Sequence, residues 1–229
     1  NIEQKQITFL QNSEFDWALV KNANLDDWKI LFKGLPVEKN YNQINFERLN
    51  KYGMTGCLNF YKVYFKSTSL MANSGSCEDT INIINSSGNI ENIEISDAFS
   101  DGLDLDFSKM KIEKIEIKNA GNDCMDLSSG EYFIEHIIAS NCSDKALSVG
   151  EKSNLFLNSF LVENSSIGIS SKDLSTTTIN FAKIKNVKFC YEAFQKKQEF
   201  GGGKINFKVI ECINKNIIDK NSSVLIGMK

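Results

Sequence analysis

One proline in 229 residues removes collagen-like and proline-rich linker architectures. Histidine is equally scarce: His136 stands alone. Cys57, Cys77, Cys124, Cys142, Cys190 and Cys212 contain no Cys-x-x-Cys pair. Common zinc frameworks need such close pairs plus further Cys or His, so they are excluded. No apolar run approaches the ~18 residues that span a bilayer. Neither sign of charge dominates, with 26 Lys+Arg against 29 Asp+Glu and a net charge of −3. That leaves no general basic footprint for nucleic acid. No secretory signal is visible, but a chain beginning with Asn is expected to be processed or trimmed, and to fit within a larger protein.

What is present is an average globular content of apolar (41%) and charged (24%) residues, enough to argue against wholesale disorder. Its organising signal is a repeat of 22 residues. Leu103, Met125, Leu147, Ile169 and Tyr191 recur at that spacing, and so do Leu105, Leu127 and Val149. Asp79, Ile81 and Ile83 continue the frame backward, and Leu58 and Phe60 lie 23 residues earlier still. In the other half of the repeat, Ile90, Ile112, Ile134 and Phe156 align. Ile95, Ile117 and Ala139 align too, followed by Val162 after one inserted residue and then Ile184. Asp97, Asn119, Asn141, Asn164 and Asn186 form an amide column. Each repeat holds short alternating apolar stretches between turn residues, which is a strand signature of period 2.

One coil of a parallel β-helix takes about this many residues. Equivalent strands then pair ~4.8 Å apart, apolar columns fuse into a core, and an Asn column hydrogen-bonds rung to rung. The sequence therefore predicts an all-β, right-handed parallel β-helix of about seven coils over residues 57–212. Right-handedness follows from the bias of parallel crossovers. Residues 1–56 are expected to form an N-terminal cap or irregular first coils, from Ile7, Phe9, Trp17, Trp28, Ile30 and Phe32. Residues 57–229 are expected to form the helix and a closing segment. Gly201-Gly202-Gly203 reads as a loop hinge before a return to strand through Ile205, Phe207 and Val209. The cysteines read as buried thiols in the stacked core, although Cys190 and Cys212 lie one coil apart and would bond in an oxidising compartment.

Chemistry is expected on the polar face. Leu103 and Leu105 alternate with Asp104 and Asp106, so these carboxyls point outward. The column Asp79, Asp101, Asp123 ends at Lys145; the column Asp106, Ser128, Gly150 ends at Lys172; a further line runs from Glu151 and Asp173 toward Gln195, Lys196 and Lys197. Acids thus lie toward one end of the face and lysines toward the other. Two unit charges one rung apart repel by about 3.5 kcal/mol at an effective dielectric of 20. Compensation must come from Lys145, from a retained proton, or from a cation such as calcium on Asp79, Asp101 and Asp123. A proton-bearing acid beside an ionised one suits glycosidic cleavage. A cation with a nearby lysine suits proton abstraction from a uronate. Asp and Asn are also favoured in turns for purely local hydrogen bonding, and His136 reads as a surface residue away from this face.

The stretches Ser100-Asp101-Gly102, Asn122-Asp123-Cys124, Lys145-Ala146-Leu147-Ser148-Val149-Gly150 and Ser170-Ser171-Lys172 resemble the pectin-lyase-like superfamily. Within it they resemble the polygalacturonase-type glycoside hydrolases, which read Asn-Thr-Asp-Gly, Asp-Asp-Cys, Gly-His-Gly-Leu-Ser-Ile-Gly and Arg-Ile-Lys on successive coils. Asp101, Asp123 and Lys172 match that pattern. Asn122 replaces an acid, Lys145 a histidine and Ser170 an arginine. The resemblance covers about 100 residues and implies a right-handed β-helix acting on a polysaccharide, in an extracytoplasmic or secreted setting. Asp101, Asp123, Lys145 and Lys172 are the expected catalytic residues. Asp104, Asp126, Glu151, Asp173, Lys196 and Lys197 are the expected substrate-binding residues. The missing histidine and arginine favour the other reading, a non-catalytic module that binds glycan or a partner protein. A purely structural spacer has no need of acids segregated from lysines.

Overall fold

The structure, a computed structural model, describes residues 3–36 and 48–227. Part of the expected N-terminal unit, residues 37–47, lies outside them. The described residues form seventeen strands and no helix, hence none long and apolar enough to cross a membrane. The first turns are β1 (Gln6–Leu10), β2 (Ala18–Lys21), β3 (Asn24–Asp26) and β4 (Lys29–Lys33). They are followed by β5 (Gly56–Tyr61), β6 (Tyr64–Asn73), β7 (Asp79–Ile84), β8 (Ser87–Ala98), β9 (Asp101–Asp106), β10 (Lys109–Ala120) and β11 (Met125–Ser128). Three long strands then each run through most of a coil: β12 (Glu131–Gly150), β13 (Asn154–Lys172) and β14 (Thr176–Phe194). The stack ends in β15 (Lys204–Glu211), β16 (Lys215–Ile218) and β17 (Ser223–Ile226).

Every ladder is parallel, and each joins equivalent positions of neighbouring coils, such as Leu103 to Met125 and Ile169 to Tyr191. The result is a parallel β-solenoid of about ten turns. The sequence read about seven, because the strands before residue 56 pair in the same manner (Ala18 with Leu58, Ile30 with Leu70) but carry weaker repeats. The core is one continuous column stack running from Leu25 to Phe207. No single coil buries its own apolar face, so each depends on its neighbours.

The corners explain the repeated polar residues. Asp97, Asn119, Asn141, Asn164 and Asn186 all have φ between 51° and 62°, a left-handed conformation that Asn and Asp tolerate better than other side chains. Their side chains form the expected ladder. Asn119 donates to Asp97 at 2.7 Å, Asn141 to Asn119 at 2.8 Å and Asn164 to Asn141 at 3.0 Å. A second corner is filled from inside by Ser86, Ser108, Ser153 and Ser175, all buried. Where Gly130 interrupts that column, the Tyr132 hydroxyl takes the place of the serine and donates to the Leu105 carbonyl at 2.8 Å.

Two sequence expectations are corrected. Ile134 pairs with Leu157, not Phe156, and His136 pairs with Ser159. The extra residue sits at the corner Glu151-Lys152, both left-handed at φ 40° and 62°, and a one-residue slip reverses which side chains face inward. Phe156 therefore lies outside, paired with Phe133. The cysteines are not thiols: Cys57–Cys77, Cys124–Cys142 and Cys190–Cys212 are disulfides with Cα separations of 5.3, 5.4 and 6.0 Å. Corner geometry brings residues 18 and 20 apart as close as residues one full coil apart, which linear spacing does not reveal. The strand expected after the glycine triplet is β15, and β16 and β17 follow it.

Candidate functional site

Strands β7, β9 and β11 and the last parts of β12, β13 and β14 lie side by side as one sheet. Alternation turns Leu103, Leu105, Leu127 and Val149 inward. It sets Asn82, Asp104, Asp126, Ser148, Ser170 and Glu192 in register as one outward column. A parallel column holds Ile84, Asp106 and Ser128 in register, then Gly150. Lys172 follows Gly150, where an added Cβ would fall 2.8 Å from the Lys172 side chain. The absence of a side chain lets Lys172 lie flat against the sheet. Its ammonium donates to Ser148 Oγ at 2.8 Å and stands 3.8 Å from Asp126 Oδ2.

Asn82 joins two acids. Its amide nitrogen lies 3.1 Å from Asp79 Oδ2, 3.2 Å from Asp104 Oδ2 and 2.6 Å from Thr55 Oγ1. Two N–H protons thus face three oxygens. Asn82 Oδ1 is inaccessible and without a partner, as are Asp126 Oδ1 and Ser170 Oγ. Three of the seven such atoms among the described residues fall on this one column. Buried polar atoms are otherwise almost always paired, so their concentration singles this column out as the candidate site.

The acids keep their protons to unusually high pH. Burial raises Asp104 well above the ordinary carboxylate range, and the charges of Asp79, Asp106 and Asp126 add to it. Burial followed by the Asp126 charge pushes Asp106 up to about 6, against a hydrogen bond from Asp104. Asp79, 2% exposed, is pushed up to about 7 by burial, opposed by the Thr55 hydrogen bond and reinforced by Asp101.

The line Asp101, Asp123, Lys145 is organised differently. Asp101 Oδ1 accepts from the Asp123 backbone N–H at 2.9 Å and from Asn122 Nδ2 at 2.7 Å. Asp123 Oδ1 accepts the Lys145 N–H at 2.9 Å, with the Lys145 ammonium 3.5 Å away and also bound to Asp144. Each carboxyl therefore ties its own coil to the next. Burial raises Asp123 to about 7 despite Lys145. Among the described residues no group of three or more acidic, histidine or cysteine side chains is placed to hold a metal ion.

The remaining expected binding residues gather at the corner beyond Lys172. Lys197 pairs with Glu151 at 2.6 Å, and Ser128 donates to the same carboxylate. Asp173, fully buried, accepts the backbone N–H groups of Lys196 and Lys197 at 2.7 and 2.8 Å and so fixes the 195–203 loop. The structure thus brings Asp79, Asp104, Asp126 and Lys172 together and sets the other residues beside them. Sequence reasoning missed Asn82 and Gly150 as parts of the site. Asn82 was open to it, standing 22 residues before Asp104. The role of Gly150 needs the path of the Lys172 side chain.

No protein-family model matches the chain, and neither a curated protein nor a solved structure matches it. The pectin-lyase-like resemblance rests on the coil motifs alone.

Proposed function

We propose that the chain is a polysaccharide-active β-helix of pectin-lyase-like character that cleaves glycosidic bonds through Asp104 and Asp126 on successive rungs of its acid face. The observation that carries this is the single column that holds these outward carboxyls and three unpartnered buried polar atoms, Asp126 Oδ1 among them, with the Lys172 ammonium beside Asp126. Asp104, which holds its proton, acts as the general acid on the leaving oxygen. Asp126, positioned by Lys172, attacks the anomeric carbon as the glycosidic bond breaks, and a water then displaces it from the sugar while Asp104 takes the water's proton. The two stand one rung apart, ~4.8 Å. A backbone spacing of that size is compatible with the ~5–5.5 Å carboxyl separation of retaining pairs. Asp101, Asp123 and Lys145 shape the rim. The three disulfides support an oxidising, extracytoplasmic setting.

The test is reducing-end release from polygalacturonate, alginate, xylan and a mixed-linkage β-glucan. Asp104→Asn and Asp126→Asn should each lower the rate by about 10²–10⁴ while circular dichroism and melting temperature are kept. Unchanged rates in both variants, or no release from any polymer, would sink the reading. A non-catalytic glycan-binding module is the second reading. It is favoured by one observation: the two Asp residues that match the hydrolase motif, Asp101 and Asp123, spend their carboxyls on backbone hydrogen bonds. Polymer binding without release would select it.

A further inference from the structure

We infer that a second glycan site lies on the sheet around the corner from the acid face, in a groove that takes an extended acidic polysaccharide along the stack. It rests on the preceding reading for the ligand class alone and shares none of its residues. The groove, about 650 Å³, is lined from β8, β10, β12, β13 and β14. Its floor is one outward column, Asn89, Lys111, Phe133, Phe156 and Thr178, each paired with the next across a rung.

The Phe133 and Phe156 rings are nearly parallel, at 8°, with centroids 4.9 Å apart. Carbon faces touch at ~3.5–4.0 Å, so the rings are slipped past each other and leave part of their faces open. Phe133 is 38% exposed. Slipped aromatic faces suit the apolar C–H face of a sugar ring. The polar lining, Asn154, Thr176 and Thr178, offers the amide and hydroxyl groups that sugar hydroxyls pair with.

Charge selects an acidic polymer. The carboxylate in the lining is Glu131, and Lys109 holds it at 2.6 Å. Lys111 stands at one end of the aromatic pair, its ammonium 5.7 Å from the Phe133 centroid. Lys204 stands in register beyond Thr176 at the other. Among the described residues neither ammonium has a carboxylate partner. Cationic ends on either side of the Glu131–Lys109 pair and the two rings complement a polymer that carries carboxylates at intervals and apolar ring faces between them. The ~4.8 Å rung repeat lets such a ligand make the same contact on successive coils.

The experiment is retention on immobilised polygalacturonate and alginate, with dextran as the neutral control. Wild type should be retained by an acidic polymer but not by dextran. Retention should fall in about 1 M salt, where the Debye length is ~3 Å. Phe133→Ala with Phe156→Ala should weaken it about tenfold or more, as should Lys111→Glu with Lys204→Glu, which removes no packed ring and so guards against a misfolded aromatic variant. No retention of the wild type, equal retention on dextran, or full retention in both double variants would overturn the site. Loss of retention in Asp104→Asn but not in the groove variants would place binding on the acid face and overturn it equally. Retention without reducing-end release fails the hydrolase reading and leaves this one standing. Release with unaltered retention in the groove variants does the reverse.

Discussion

Asp79 and Asp123 are carboxyls whose ordinary value is 3.8 and which burial pushes up to about 7. The unfolded chain releases these protons by about pH 4, whereas the folded chain keeps them until about pH 7. Between those limits the native state binds more protons, so stability must fall as pH rises. The contribution is complete below pH ~4 and gone above pH ~7. We expect the melting temperature to be lower at pH 8 than at pH 5 by several degrees, at ~2–4 °C per kcal/mol for a chain of this size. Asp79→Asn keeps the shape and removes the titration, so its melting temperature should vary less with pH and exceed that of wild type at pH 8. A wild-type curve flat between pH 5 and 8 would show that the stack releases its protons at the ordinary value. The cost of stacking these acids was legible in the sequence, since a 22-residue spacing puts them one rung apart. Which of them serve the backbone was not. The hydrogen bonds from the Asp123 and Lys145 amides to the acid below depend on corner dihedrals that spacing does not encode.

The strand elements carry the same lesson at larger scale. Columns such as Leu103–Met125 and Leu147–Ile169 were readable because inward alternation and the coil length fix them together. The corner at Glu151-Lys152 was not, because an inserted residue there moves Phe156 from core to surface while Ile134 finds Leu157 instead. Both phenylalanine and leucine satisfy an apolar column, so composition cannot choose between them. The groove exists because of that slip. The disulfides belong to this scale as well, since each joins a residue within a strand (Cys57 in β5, Cys142 in β12, Cys190 in β14) to one just outside another strand (Cys77, Cys124 and Cys212, beside β7, β11 and β15). Cys124–Cys142 ties the turn into β11 to β12, directly beside Asp123. Cross-linking over 18 residues restricts the unfolded chain by roughly 3 kcal/mol. Cys124→Ser with Cys142→Ser should lower stability in urea by about that amount, and stability unchanged by the pair would show that the link closes no costly loop.

Across the whole molecule, each coil touches only the coils before and after it, so stability is a sum of nearest-neighbour terms along one axis. The ends must then be the weakest part. All of β16 is exposed, and Leu225 and Ile226 of β17 are 51% and 58% exposed. Leu127 in β11 is fully buried, with coils on both sides. The acid column and the groove both lie over β7–β14, where each rung is held from both sides and the spacing between Asp104 and Asp126 is fixed by two ladders rather than one. A site that depends on rung spacing gains from that position. Hydrogen exchange followed by mass spectrometry should therefore show amides of β16 and β17 exchanging first and those of β12 and β13 last. Leu127→Ala, at about 2–5 kcal/mol for a buried leucine, should lower protection in the coils on both sides and reduce the proposed turnover at Asp104. Leu225→Ala should change exchange only near its own strand and leave turnover alone. Equal protection from β11 to β17 would mean that something holds the C-terminal coils as firmly as the middle ones, and the site would then owe nothing to its place in the stack.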